Sequence, residues 1–235
     1  MSPYENRLNS ESFRRIALIA AIKPSAIDQL SSILTQRPDA LEPELAAAGI
    51  SHLHVYLKDL GRRSVLFVYF ETTLLDQEAA AQTLKTSSNW WRNIEAHLLA
   101  HPRAPAEDLP WQRAEFINVI ADNTDREHPK RKACGLISGV RLESELWYRT
   151  LHQTNWPGVI DQMKRSQYQN WTTFMLEWDD ELLLFTHVEY LGNDQFADDA
   201  LMAADPVTQR WWKHSEPCLY AVDGGKDNWA SMLKF

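Results

Sequence analysis

The chain has 235 residues, 44% hydrophobic and 24% charged, the balance of a soluble globular protein. Its formal net charge of −8 argues against a nucleic-acid partner, which needs a clustered basic footprint; the one basic run, Lys130-Arg131-Lys132 beside Pro129, reads as a solvated linker. Two cysteines, Cys134 and Cys218, without metal-ligand spacing fit a reducing compartment, Met1–Ser12 is too polar for a secretory signal, and the apolar run Ile16–Ile22 is too short to span a bilayer, so a cytoplasmic protein with no membrane partner is expected.

In chain order, residues 15–22 are apolar and end at Lys23-Pro24, which predicts a strand. Ile27, Leu30, Ile33, Leu34, Leu41 and Leu45 recur at helical spacing over 25–48. Pro38 should break or kink that helix and Gly49 should end it. His52–Lys58 and Arg63–Thr72, with Gly61 between them, predict a hairpin. A helix is expected over 76–99 and a last strand over 115–121. Residues 100–113 and 122–131 read as connectors. The second half follows suit: a strand at 133–140, a helix at 143–166, a hairpin of 169–176 and 181–190 turning at Asp179-Asp180, a helix near 196–214, and a strand at 230–235.

The two halves also match residue by residue. Residues 134–189 fall on 16–71 without a gap, at an offset of 118. Ile22 falls on Val140, Tyr56 on Phe174, Leu66 on Leu184, Phe67 on Phe185 and Glu71 on Glu189. After a small length change Trp90-Trp91 falls on Trp211-Trp212, and Glu95 on Glu216. The expected fold class is α+β: two tandem ferredoxin-like β-α-β-β-α-β repeats forming a pseudo-symmetric dimeric α/β barrel. The expected divisions are an N-terminal repeat at 1–122, a linker at 123–131 and a C-terminal repeat at 132–235. A ferredoxin-like sheet has one bare face, and two such sheets facing each other would cover both. A ligand site would then sit between the sheets or at their mouth. Beyond this internal pseudo-dimer, further homodimerisation is left open.

Chemistry is expected only in the second half. Tyr148, His152 and Trp156 lie at i, i+4 and i+8, close to one helical face, where the first half has Leu30, Leu34 and Pro38. The bland alternative is a pair of core aromatics with a satisfied histidine. Leu146, Leu151, Val159 and Met163 already supply an apolar stripe, which leaves the Tyr-His-Trp line free to face elsewhere. Trp211 and Trp212 point about 100° apart on a helix, so one can pack in the core while the other lines a pocket, where an indole suits the C–H face of a sugar. His187 shares a sheet face with Glu189, either as a base with its orienting partner or as a buried polar pair. His152, His187 and His214 are scattered, so no metal site and no cofactor are expected.

The segment Tyr148-Arg-Thr-Leu-His152-Gln-Thr-Asn-Trp156-Pro157 resembles the Tyr-x-x-x-His-x-x-x-Trp-Pro signature of L-rhamnose mutarotases. Asp205-Pro-Val-Thr-Gln209-Arg210-Trp211-Trp212-Lys213 is similar to the family's Gln-Arg-Trp-Trp-Lys segment. Asn170-Trp171 corresponds to an Asn-Tyr pair, and Leu183–Glu189 to the hairpin strand between. The resemblance covers 132–235 and extends more weakly to 14–122. It implies an isomerase that interconverts the α and β anomers of a monosaccharide, with His152 as proton donor, Tyr148 as a second catalytic residue sharing the proton relay, and Tyr148, Trp171, Trp211 and Trp212 on the sugar. Trp156 and His187 join them as candidate substrate-binding residues. Trp171 departs from the family's Tyr, removing a hydroxyl and adding bulk, which leaves the identity of the sugar open; Thr150-Leu151 stands where the family tends to have Arg-Arg. Two alternatives remain beside it: a non-catalytic sugar-binding or regulatory module, and an α/β-barrel oxygenase or haem protein using His152 or His187 as axial ligand.

Overall fold

The computed structural model describes residues 13–74, 76–86, 88–101, 110–122, 128 and 130–235. Met1–Ser12 and most of the 123–131 linker lie outside them. The first half runs β1 (Arg14–Ile22), α1 (Ile27–Thr35), α2 (Leu41–Ala47), β2 (Ile50–Asp59), β3 (Ser64–Thr72), α3 (Gln77–Thr86), α4 (Asn89–Glu95), two short strands β4 (Leu98–Leu99) and β5 (Gln112–Arg113), and β6 (Glu115–Ile120). The second runs β7 (Lys132–Val140), α5 (Glu145–Leu151), α6 (Pro157–Arg165), β8 (Tyr168–Trp178), β9 (Glu181–Tyr190), α7 (Gln195–Ala204), α8 (Pro206–Ser215), the short β10 (Leu219–Tyr220) and β11 (Ala230–Lys234). The fold is mixed α+β on antiparallel strand pairing.

Each long helix expected from periodicity is two shorter ones, for local reasons. Between α1 and α2 lies Arg37-Pro38, and proline cannot continue a helix without losing a backbone bond. Ser88 caps α4 by accepting from the Trp91 N–H at 3.3 Å, which ends α3 and restarts the helix. Trp156-Pro157 does the same between α5 and α6, with proline in the first turn, where its missing N–H costs nothing. Asp205 caps α8 through the Thr208 N–H and side chain at 2.8 and 3.0 Å, directly before Pro206.

The described chain falls into two compact units that do not follow the midpoint of the sequence: residues up to Glu115 together with Met232–Phe235, and Phe116–Ser231. In the former, the sheet runs β4-β1-β3-β2 with the end of β11 beside β2, Leu233 opposite Leu57 and Lys234 opposite Tyr56. In the latter it runs β7-β9-β8-β6. The last strand of each half therefore completes the sheet of the other unit. The β2–β3 and β8–β9 ladders each slip register, between Ser51 and His54 and between Gln169 and Thr172. His52 and Asn170 take positive φ (51° and 50°) at these slips. A bulge of this kind re-aims the side chains beyond it, and in the second unit those side chains are Trp171 and Thr173. Gly139 on β7 lies under the Tyr220 ring, where any side chain would collide with it.

Candidate active site

Phe116–Ser231 contains a cavity of about 460 Å³ on the helix-covered side of its own sheet, within the usual size for small-molecule sites, about 300–1,000 Å³. Tyr148, His152, Trp171, Trp211 and Trp212 all line it, with Thr173, Thr208, Ser215 and Glu216. The sequence pattern thus assembles five of its seven candidates around one space. The site lies inside one unit, beneath helices; the sequence pattern leads to an expected site between two sheets or at their mouth. Helices cover this face and leave room because the chain breaks at Trp156-Pro157 and Asp205-Pro206.

Two candidates stand outside the cavity lining. Trp156 packs edge-on against Trp211 (centroids 5.3 Å apart) and lies under the Arg210 guanidinium at 5.2 Å. It therefore buttresses a wall residue. His187 stands opposite Thr172 on the paired strand, while Thr186 stands opposite Thr173. Side chains alternate across a sheet, so His187 faces the side opposite Thr173 and the cavity. There its Nε2 lies 3.5 Å from Glu189 Oε1. Gln169 donates to Glu189 Oε2 at 2.7 Å, and Arg131 approaches Oε1 at 3.5 Å. Burial pushes the Glu189 carboxyl up, but His187, Gln169 and Arg131 outweigh it and hold it at about 2.

His152 ends α5 as its C-cap. Its Nδ1 lies 2.8 Å from the Tyr148 carbonyl oxygen, which can only accept, so Nδ1 carries the proton and the neutral ring presents Nε2 as a lone pair. The ring also lies 4.1 Å from the Tyr148 ring and meets Trp211 edge-on at 5.2 Å. Burial lowers its pKa from 6.5 to about 4, against a small opposing effect of the Tyr148 carbonyl bond. Burial among aromatics thus keeps it uncharged at pH 7. Burial, then the neighbouring Cys218, raises the Tyr148 phenol far above its ordinary value, so it keeps its proton. The site thus offers an uncharged acceptor nitrogen and a protonated phenol, both buried, between indole walls.

Several positioning groups gave no sequence signal. The loop between α5 and α6 is tied to β6: Asn155 Nδ2 donates to the Val119 carbonyl at 2.8 Å, and Asn118 Nδ2 donates to Asn155 Oδ1 at 3.1 Å. Both asparagines are buried. Asn118 comes from the end of the first half, so no pattern within the second half could reveal it. Lys226, Asp227, Asn228 and Trp229, in the turn-rich segment before β11, also line the cavity. Trp229 meets Trp171 edge-on at 6.3 Å.

A family model described as L-rhamnose mutarotase matches residues 134–235, the stretch that supplies every wall of the cavity except Ile120. No curated protein matches the chain. Among solved structures, one from Lactobacillus acidophilus NCFM, described provisionally as a monooxygenase, is similar at a TM-score of 0.50 and 10% identity, over 94% of this chain and 93% of that one. Another from Fusobacterium nucleatum, described the same way, gives 0.49 and 8% identity over 94% and 91%. At such identity the first likeness concerns the fold alone, a mixed α+β architecture on antiparallel strands. No helix among the described residues is long and apolar enough to cross a membrane.

Proposed function

We propose that the protein is a sugar mutarotase acting on L-rhamnose or a related pyranose, with its one competent site in Phe116–Ser231. The observation that carries this is the neutral His152 imidazole, Nδ1 fixed on the Tyr148 carbonyl, in a Trp-walled cavity formed almost wholly by the family-matched segment. In that cavity His152 Nε2 takes the proton from the anomeric hydroxyl as the C1–O5 bond breaks and C1=O1 forms. An imidazolium with a pKa near 4 is a strong acid, so it gives the proton on to the ring oxygen and leaves the open aldehyde. Rotation about C1–C2 and the reverse transfers close the other anomer. Tyr148 holds a ligand oxygen as a hydrogen-bond donor, while Trp171, Trp211 and Trp212 offer flat apolar faces to ring C–H groups. No charge is created or lost overall, which suits a buried site with uncharged catalytic groups.

The order of elements fits a tandem duplication. Both halves run strand, two helices, hairpin, two helices, strand, and both bulge at the same offset. Saturation-transfer NMR on L-rhamnose, with L-fucose as comparison, tests the activity. Catalysed exchange between the anomer signals is expected. A chain that leaves both sugars at their uncatalysed rates refutes it.

A further inference from the structure

Thr173 sits in the cavity lining, almost fully buried, on β8 beyond the bulge. Its Oγ1 lies 3.1 Å from Thr186 Oγ1, directly across the ladder on β9. Thr186 is wholly buried and does not reach the cavity. Among the described residues each hydroxyl has the other as its side-chain partner. The pair owns two hydrogens and shares one bond. A sealed hydroxyl that withholds its hydrogen from its single acceptor carries the cost of an unmade bond. Thr186 therefore donates to Thr173, and the hydrogen left over is that of Thr173, on the residue that faces the cavity.

The first half shows that the fold does not need these hydroxyls. At the same offset stand Val55 and Val68, paired in the same register and fully buried in an apolar core. Valine matches threonine in shape but has no hydroxyl. The polar pair thus occurs only where a cavity adjoins it.

We propose that Thr173 is a ligand-contacting hydrogen-bond donor in the cavity floor, with Thr186 as the positioning residue that orients its hydrogen. This rests on the mutarotase reading and deepens it: the floor reads one acceptor oxygen of the pyranose, opposite in character to the acceptor nitrogen of His152. A threonine hydroxyl is too weak an acid to deliver the proton; it holds and polarises the oxygen.

The test uses the full chain and L-rhamnose, with binding by ligand titration and exchange by saturation-transfer NMR. The double variant Thr173→Val/Thr186→Val rebuilds the Val55–Val68 arrangement of the first half, so it should melt with the parent. Its affinity and kcat/KM should fall about 3- to 10-fold, the effect of one hydrogen bond. Thr173→Ser should retain both within about twofold, because it keeps the donor. A double variant that binds and exchanges like the parent overturns the proposal while leaving the mutarotase reading intact. A Thr173→Ser protein as weak as the double variant also overturns it, since shape rather than the hydrogen would then matter. A parent that neither binds nor exchanges L-rhamnose or L-fucose removes the reading and this proposal together; where only L-fucose exchanges, the same variants are compared on that sugar.

Discussion

Under α1 and α4 of the first unit, Leu30 and Leu34 are fully buried in the core. Trp91 stacks on Trp111 at 5.2 Å with the planes 10° apart. Trp90 donates its indole N–H to the Ile33 carbonyl at 2.9 Å, and Trp111 donates to Glu95 at 2.8 Å. The leucines and Trp91 fill the space beside them, while Glu95 and the edge of Trp111 line a separate hollow of about 320 Å³ with Lys85 and Arg92. In the second unit Tyr148 and His152 take the leucine positions, Trp212 and Trp229 remain half-exposed, and Glu216 lines open space. The framework of strands and paired tryptophans is shared. What separates packing from a site is a few side chains: two leucines, two valines, and whether the tryptophan ahead of the last strand stacks or stands off.

The sharpest way to break the contrast is to remove its chemistry. His152→Ala should reduce catalysed anomer exchange by about 10²–10⁴-fold, the range for general acid–base help, with the melting temperature nearly kept; saturation transfer reads it directly. Exchange at the parental rate would take the acceptor role away from His152. Trp111→Ala attacks the other side. It should destabilise the chain by about 3–5 kcal/mol in chemical denaturation, as aromatic truncations in cores do, while leaving kcat/KM of the surviving folded protein unchanged. A large loss of activity in the folded state would mean the first unit is more than packing.

Acidity separates the two halves further. The folded pKa of His152 is about 4, below its ordinary 6.5, so the unfolded chain binds the extra proton between those values. Stability from keeping this ring neutral is complete above pH 6.5 and is lost as the pH falls toward 4. Activity should therefore be level from pH 6 to 8 and fall about tenfold per unit below pH 4, measured before the fold gives way. In the His152→Gln protein the acid loss of stability over that window should shrink. A rate profile centred at pH 6.5 would show a solvated imidazole. The smallest expected effect is that of Asn155→Ala. It leaves the Val119 carbonyl and Asn118 without their partner, at about 1–3 kcal/mol of stability, and loosens the loop behind His152. Calorimetry with exchange kinetics checks both, and a larger change in kcat than in KM would locate the damage at the imidazole.

Element types and order are legible in the sequence, because alternation, Pro38, Gly49 and the Trp pairs are local signals. So is the helical line that brings Tyr148 and His152 to the cavity with Trp211 and Trp212. The helix breaks are only partly legible: Ser88 and Asp205 act as caps through bonds that compete with an otherwise continuous pattern. Trp156 reads as a wall residue because it shares the spacing of the line, but Pro157 turns it behind Trp211. His187 shares a strand with Thr186, and alternation alone sends the two to opposite faces. Which face holds the cavity depends on helix cover, and that is a tertiary fact. The Thr173–Thr186 pair is written in the sequence as a difference from Val55 and Val68, but it means nothing until the register puts the two hydroxyls opposite each other.

The traded terminal strands bear on how such a chain can be made and changed. Residues 116–120 complete the sheet beside β8, and Met232–Phe235 complete the sheet beside β2. A ribosome releasing residues 1–122 has made a sheet whose last strand is still more than a hundred residues from synthesis. Completion of the first half's sheet during synthesis, the usual order for modular chains, must wait for the end of this one. Scission within 123–131 would likewise leave each fragment carrying the strand that completes the other's sheet.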